Sequence, residues 1–261
     1  MPMVDPIESQ WEANAKSFAD LINQKGTPHH QHILNPCVEK LVGNVKGKRL
    51  LDAGCGEGYL SRHYAHKGAT VTGVDISNGL IEICRSLPVS NVKYYVGSIC
   101  DLDFITDRTY DIVLCNLVLL NVPCLSDALG EFYRVLKPDG TLVFSVVHPS
   151  FNFYGPGEWE MGEKDLDTKR RKGLFFRVDR YFDEHEYKHT WKTRTGEYFP
   201  RPMSFFHRTL TTYIHAVIDT GFIISRIEEP QPVVDDDFFE RERRIPFFLV
   251  VKARKPSSGS T

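Results

Sequence analysis

The sequence predicts an α/β fold in which a mostly parallel sheet is covered by helices on both faces. Three observations carry that prediction. Between Arg49 and Val147, short apolar runs of strand length alternate with amphipathic stretches of helix length. The runs RLLDAG, TVTGVD and YDIVLCN are apolar with little polar alternation, as strands buried on both faces must be. The segments between them are long enough for the right-handed helical crossovers that parallel neighbours require.

The elements follow in order. Trp11, Ala15, Phe18, Leu21 and Ile22 recur at helical spacing, so residues 7–24 form an amphipathic lead-in helix. Gly26-Thr-Pro-His-His reads as a loop. Asn35-Pro36 opens a second helix that ends near Val42, before Gly43 and the turn Lys46-Gly47-Lys48. RLLDAG is the first strand, and GYLSRHYAHKG a helix stopped by Gly68. TVTGVD is the second strand, and SNGLIEICRSL a helix with Ser77 as its N-cap. VKYYVG and YDIVLCN are the third and fourth strands. SDALGEFYRVLK is a helix closed by the turn Pro138-Asp139-Gly140, and TLVFSVV is the fifth strand.

After Val147 the rhythm breaks. Residues 149–206 are rich in aromatics, charge, Gly and Pro, without a clean period, and are too long for a bare loop in a compact domain. They are expected to form an insertion that caps the open end of the sheet. RTLTTYIHAVIDTGF restores a helix ended by Gly221, and IISRIEEP and IPFFLVVKAR supply the sixth and seventh strands. The expected organisation is therefore 1–148 for the N-terminal helices and binding core, 149–206 for the cap, 207–254 for completion of the sheet and 255–261 for a polar tail.

Composition narrows the partners. With 32 basic and 34 acidic residues the formal charge is −2, so nothing global attracts a polyanion, and nucleic acid is not an expected partner. The cluster Lys169-Arg170-Arg171-Lys172 reads as a solvated turn rather than a phosphate site. No run approaches the ~18 apolar residues of a membrane span. The N-terminus lacks the basic-then-apolar pattern of a signal peptide, and a cytoplasmic location is expected. The six cysteines, at 37, 55, 84, 100, 115 and 124, include no C-x-x-C pair and are read as reduced thiols. No metal site is expected.

The chemistry begins at the first strand-to-helix turn, Asp52-Ala53-Gly54-Cys55-Gly56-Glu57-Gly58. Glycines here let a ligand approach backbone that a side chain would cover. The spacing is G-x-G-x-G, not the G-x-G-x-x-G of dinucleotide sites, and the acid before the turn suits a ligand bearing positive charge. The second strand ends in Asp75, placed to accept hydrogen bonds from the two hydroxyls of a ribose.

LLDAGCGEGYLSRHYAHKGATVTGVDIS, YDIVLCN and RVLKPDGTLVFSV together resemble the motifs of the seven-strand S-adenosylmethionine-dependent methyltransferases, in particular the UbiE-like small-molecule group. The resemblance is strong over residues 36–147 and weaker over 207–254. It implies a Rossmann-like three-layer sandwich with strand order 3-2-1-4-5-7-6 and one antiparallel strand in the last hairpin. It also implies S-adenosylmethionine as methyl donor, S-adenosylhomocysteine as product and a small-molecule acceptor. Carried over by position, Gly54, Cys55 and Gly56 line the methionine moiety and Asp52 supports its amino group. Asp75 takes the ribose, Ile76 stacks on adenine, and Asn116 and Leu117 lie under the sulfonium. Relatives usually carry an acid where this chain has Ser98. Here Ser98, with Ile99 beside it, is expected at the adenine edge, and Asp101 is a second candidate acceptor. Trp11 and Phe18 are candidates to close over the donor or to pack in the core. The N/D-P-P-Y/F motif of amino-methylating nucleic-acid enzymes is absent, since Asn116 precedes Leu-Val-Leu. An RNA methyltransferase and a non-catalytic binding module are the alternatives.

For the acceptor side, His148 directly follows the fifth strand and is the best-placed candidate base. His207 is a second candidate for the same cavity. His185 and His189 are spaced one helical turn apart but lack a third ligand. The aromatics Phe151, Phe153, Tyr154, Trp159, Phe175, Phe176, Tyr181 and Trp191 fit either an apolar pocket wall or a small core of the cap.

Overall fold

A computed structural model describes residues 6–152, 155–164, 166 and 171–257. Phe153, Tyr154, Lys169, Arg170 and the end of the polar tail lie outside the described residues. The lead-in helix α1 (Pro6–Ile22) is followed by a π-helical turn, His30–Leu34, that runs into α2 (Asn35–Val42). The alternating core is β1 (Arg49–Ala53), α3 (Tyr59–His66), β2 (Thr70–Asp75), α4 (Asn78–Ser86), β3 (Val92–Val96), β4 (Tyr110–Asn116), α5 (Leu125–Val135) and β5 (Leu136–Val147). Two hairpins follow, β6 (Gly157–Lys164) with β7 (Arg171–Val178), and β8 (Glu186–His189) with β9 (Met203–Phe206). Then come α6 (Leu210–Asp219), β10 (Ile223–Glu228) and β11 (Phe248–Arg254).

Seven strands form one sheet in the order β3-β2-β1-β4-β5-β11-β10. This is the expected order, with β10 and β11 as sixth and seventh strands. All neighbours are parallel except β11, which runs antiparallel to both β5 and β10. Right-handed crossovers place α3 and α4 on one face and α5 on the other. The central strands show why their sequences lack polar alternation: Leu50, Leu51, Val113, Leu114, Leu142, Val143 and Phe144 are all buried. Each such side chain contributes ~1.5–3 kcal/mol by leaving water. Strand order reverses between β1 and β4, so the carboxyl ends of these strands open onto the crevice where α/β sheets bind ligands.

Two local expectations change. β5 begins at Leu136, because Tyr110 pairs with Leu136 before the register slips and Ile112 pairs with Thr141. Pro138-Asp139-Gly140 is thus a bulge within the strand, with Asp139 at φ +61°, rather than a turn before it. Cys100 and Cys124 are joined in a disulfide, their Cα atoms 6.2 Å apart, which corrects the reading of all six cysteines as reduced. They are 24 residues apart in sequence, but the loops after β3 and β4 both emerge over the same sheet edge and bring them together.

The described residues of 149–206 include two β-hairpins, where the sequence shows no clean period. The β6–β7 ribbon leaves Leu174 and Phe175 exposed and has no sheet behind it, so no face imposes a hydrophobic alternation. It is held by Trp159, which packs edge-on against Phe176 and lies under the Arg244 guanidinium at 4.9 Å, while Arg244 also donates to Leu174 O. Among the described residues no helix is long and apolar enough to cross a membrane.

The second hairpin is tied to α1 by two reciprocal amide pairs one helical turn apart. Gln10 Nε2 donates to Ser204 Oγ and Gln10 Oε1 accepts from Ser204 N–H at 2.7 Å. Asn14 Nδ2 donates to Arg201 O at 2.9 Å and its Oδ1 accepts from Arg201 N–H at 3.0 Å. Both side chains are buried, and the Gln10 pair satisfies a backbone N–H of the buried Ser204. Gln10→Leu strands the Ser204 N–H and is expected to lower unfolding free energy by ~1–3 kcal/mol. Urea unfolding checks this, and an unchanged midpoint contradicts it.

Candidate active site

A cavity of about 620 Å³ lies over the carboxyl ends of β2, β1, β4 and β5. Its floor is the turn from β1 to α3, where Gly54, Gly56 and Gly58 adopt φ of +79°, +56° and +83°. Gly54 and Cys55 N–H both donate to Val74 O, at 2.8 and 2.9 Å, which fastens the turn to β2. A Cβ on Gly54 would lie 2.4 Å from Val118 Cγ2, so the glycine is required both by its φ and by the loop after β4 packed upon it.

Asp75 joins this turn to the next. Its Oδ2 accepts from Gly56 N–H at 2.8 Å and its Oδ1 from Ser77 N–H at 3.0 Å. Ser77 caps α4 as expected, its Oγ accepting from Leu80 N–H, and also donates to Glu12 Oε2 at 2.7 Å. Glu12 accepts in addition from Gly79 N–H, so α1 is pinned to the start of α4. Asp52 lies beneath, with its Oδ2 accepting from Ser61 Oγ at 2.6 Å.

Both carboxyls are buried, and burial raises their pKa. For Asp75 burial prevails over the N–H bonds from Ser77, Gly56 and Ile76, and with the Glu12 charge lifts it to about 6. For Asp52 burial prevails over the Ser61 bonds, and the Asp75 and Glu57 charges add, reaching about 7. Neither acid has an ion-pair partner among the described residues, an arrangement that fits a ligand bringing positive charge.

The loop after β4 forms the next wall. Asn116 Oδ1 accepts from Ser145 Oγ at 2.7 Å, and Leu117, a non-glycine residue at φ +58°, donates its N–H to Ser145 O at 3.1 Å. Such a left-handed conformation costs on the order of 1–3 kcal/mol and persists only where the surroundings impose it. Asp52, Gly54, Cys55, Gly56, Asp75, Ile76, Ser98, Ile99, Asn116 and Leu117 all line this one cavity. Asp101 does not; it is exposed, while Ser98 Oγ accepts from Cys100 N–H at 3.2 Å. Trp11, Phe18 and Trp191 form an aromatic group over the opening, with Phe18 stacked on Trp191 at 6.1 Å.

His148 does not reach the cavity. It is buried, with Nε2 2.8 Å from Glu229 Oε1 and Nδ1 accepting from Ser150 N–H at 3.2 Å. Burial outweighs the Glu229 bond and holds its pKa below the ordinary value. With both ring nitrogens committed and the ring off the wall, the expectation that it meets the methyl group is corrected. His207 is also buried off the wall, against Tyr181 O at 2.8 Å. His185 and His189 flank and end a strand rather than sharing a helix turn. His189 lines the cavity, whereas His185 Nδ1 meets Asp183 O. Of the cap aromatics, Trp191 is on the wall, and Phe151, Trp159 and Phe176 form a separate cluster.

Sequence reasoning missed the far end of the cavity. There Val147, Phe247 and Phe248 meet Ile22, His29, His30 and Tyr59. The only hint was the His29-His30 doublet in a short loop; Phe247 and Phe248 read simply as strand.

Residues 51–144 match the model of a methyltransferase domain. The fold matches the crystal structure of an S-adenosylmethionine dependent methyltransferase from Mesorhizobium loti, at 26% identity and TM-score 0.68, covering 89% of this chain and all of that one. Residues 51–144 therefore carry a class I S-adenosylmethionine-dependent methyltransferase domain. The chain is similar to the ubiquinone biosynthesis O-methyltransferase of Coxiella burnetii, 33% identical over 52% of this chain, and to the malonyl-[acyl-carrier protein] O-methyltransferase of Serratia marcescens, 36% identical over 42%. The aligned parts span 62% and 43% of those two relatives.

The raised carboxyls give this methyltransferase a pH signature. Below its folded pKa each acid is neutral and attracts a cation poorly, so S-adenosylhomocysteine should bind most tightly above pH about 7. Affinity should fall as pH drops through about 7 and then about 6. The sign for stability is opposite. The folded apo-protein holds these protons where the unfolded chain has released them, so this contribution is lost as pH rises from the ordinary value of 3.8 through about 6 and about 7. Calorimetric titration between acid and neutral pH tests the binding half, and flat affinity would contradict it.

Proposed function

We propose that the enzyme transfers the methyl group of S-adenosylmethionine to a small-molecule acceptor by in-line displacement. One observation carries this reading: a single cavity runs along the sheet edge from Asp75 to Phe247 and Phe248, roofed by α1 and by residues 189–192 and Tyr198. A roofed pocket of this size admits a compact acceptor and excludes water, which the transfer requires. The names of the Coxiella and Serratia relatives, both O-methyltransferases, favour oxygen as the acceptor atom.

The donor is assigned to the β2–β1–β4 half, where it would present an electrophilic methyl group. Asp75 receives the ribose hydroxyls on the lone pairs that Gly56 and Ser77 leave free. Asp52 supports the amino group, and the backbone of Gly54, Cys55 and Gly56 borders the methionine chain. Ile76, Ser98 and Ile99 border adenine, and Asn116 and Leu117 the sulfonium. The cap role belongs to the β8–β9 hairpin and its connecting loop; the β6–β7 ribbon stands off the cavity. Arg171 and Lys172 lie on that ribbon, exposed and away from the opening, which counts against RNA as acceptor.

Incubation with labelled donor and, separately, panels of small phenols, acids and amines or total RNA tests the acceptor class. Label should enter a small molecule; incorporation into RNA alone overturns the reading. Asp75→Ala should weaken S-adenosylhomocysteine binding by ~10-fold or more, from the loss of charge-assisted hydrogen bonds. Gly54→Val should abolish binding in a protein that retains its sheet. A folded Gly54 variant with normal affinity removes the donor from this turn.

A further inference from the structure

The strand order separates the two halves of the cavity. β2, β1 and β4 deliver Asp75, the glycine turn and Asn116 to the donor half. Beyond β4 lie β5 and β11, where Val147 and Phe248 are register partners and Phe247 adjoins them. This end is largely apolar, and among the described residues it holds one acid–imidazole pair, His29 with Glu242. His29 packs its ring 4.9 Å from that of Phe247 and forms part of the cavity wall. Its Nε2 lies 3.0 Å from Glu242 Oε1. Among the described residues nothing hydrogen-bonds to His29 Nδ1, and that atom is not sealed off by burial. Glu242 is only 7% exposed, and its Oε2 has no partner, so the carboxylate has no stronger claim on it than His29.

We propose that His29 is the general base of this methyltransferase, positioned by Glu242, and that the acceptor is an apolar molecule whose nucleophile is a hydroxyl of phenol-like acidity. The inference rests on the assignment of methyl transfer to this cavity. The acceptor proton passes to His29 Nδ1 as an oxygen lone pair forms the new bond to the methyl carbon. The methyl–sulfur bond breaks, its electron pair stays on sulfur, and the sulfonium becomes a neutral thioether. The imidazolium, facing Glu242, then gives its proton to water.

The acceptor class follows from matching the base to its task. A carboxylic acid is already ionised and needs no base, and an aliphatic alcohol is too weak an acid for an imidazole. A phenol or enol falls between them. Glu242 remains a carboxylate: burial pushes its pKa up, but the His29 bond and charge, its own backbone N–H and Arg241 together bring it below the ordinary value. His30 cannot substitute. Its Nδ1 accepts from Thr27 N–H at 3.3 Å, and burial, with the neighbouring His29, holds it down to about 4. It stays neutral and presents only an Nε2–H donor. Among the described residues, the charged or titratable groups beside His29 include Glu242, His30 and Arg241.

The test pairs a spectrum with a rate. The enzyme saturated with S-adenosylhomocysteine is mixed with 4-nitrophenol about one pH unit below its solution pKa. Wild type should show the phenolate band and His29→Gln the neutral phenol, with unchanged affinity for S-adenosylhomocysteine. Transfer from labelled donor to the less acidic 4-methylphenol should fall ~10²-fold in kcat for His29→Gln, and much less to 4-nitrophenol. Glu242→Gln should lower kcat with little change in KM. Equal losses for the two phenols, identical spectra, or transfer confined to amines and carboxylates overturn the proposal. Failure of wild type to bind S-adenosylhomocysteine instead removes the donor assignment on which it rests.

Discussion

The architecture of the site depends on the Asp75 carboxylate. By accepting from Gly56 N–H and Ser77 N–H it holds together the turns that follow β1 and β2. Either turn alone is a short loop with three left-handed glycines or an N-cap, and neither has side-chain packing enough to fix its position. The same carboxylate faces the cavity, so the group that organises the backbone is also the one offered to a ligand. Ser77 extends the link to Glu12 and thereby to α1, so the roof is referenced to the floor through one chain of hydrogen bonds.

The roof has a second anchor. Gln10 and Asn14 bind α1 to the Arg201 and Ser204 backbone, and Asn121 Nδ2 donates to Ser204 O at 2.9 Å. The loop after β4 is therefore joined to the second hairpin, while Arg208 donates to Leu119 O and Val122 O from the other side. A lead-in helix, an insertion and a core loop, distant in sequence, meet over the carboxyl edge of the sheet. These contacts are polar and buried, which specifies geometry more sharply than apolar packing because each missing partner is costly. The disulfide between Cys100 and Cys124 links two further loops of the same edge.

The legible parts of the sequence were those governed by local rules. Apolar runs such as RLLDAG become buried strands, the tripled glycine becomes a left-handed turn, and Ser77 caps its helix; each outcome is decided within a few residues. That Asp52, Asp75 and Asn116 line one cavity was legible for the same reason, since all three stand at or next to the ends of their strands. His148 misled because position after β5 is a local fact, whereas the direction of its ring is set by Glu229, 81 residues later. His29 went unread for the converse reason: its partner Glu242 is 213 residues away, in a connection without regular pattern. The β6–β7 ribbon was unreadable because alternation arises only where one face is buried.

The division of the cavity bears on the chemistry. At the β1–β2 end, low dielectric strengthens attraction between carboxylate and ammonium, yet the same burial favours the neutral acids until the ligand arrives. Binding and ionisation are thereby coupled, and the acids are most strongly charged when there is charge to meet. At the β5–β11 end the walls are largely aromatic and aliphatic, with His29 and His30 among them. A reaction between an anionic oxygen and a sulfonium removes two charges, and surroundings that solvate charge poorly oppose such a step less than water does. Under the proposal above, a neutral phenol would enter that end without a desolvation penalty for charge, and His29 backed by Glu242 would supply the anion where it reacts. An acid pair at the β1–β2 end and a chamber holding the proposed base at the β5–β11 end would thus meet complementary requirements of one transfer, kept apart by the order in which the sheet is wound.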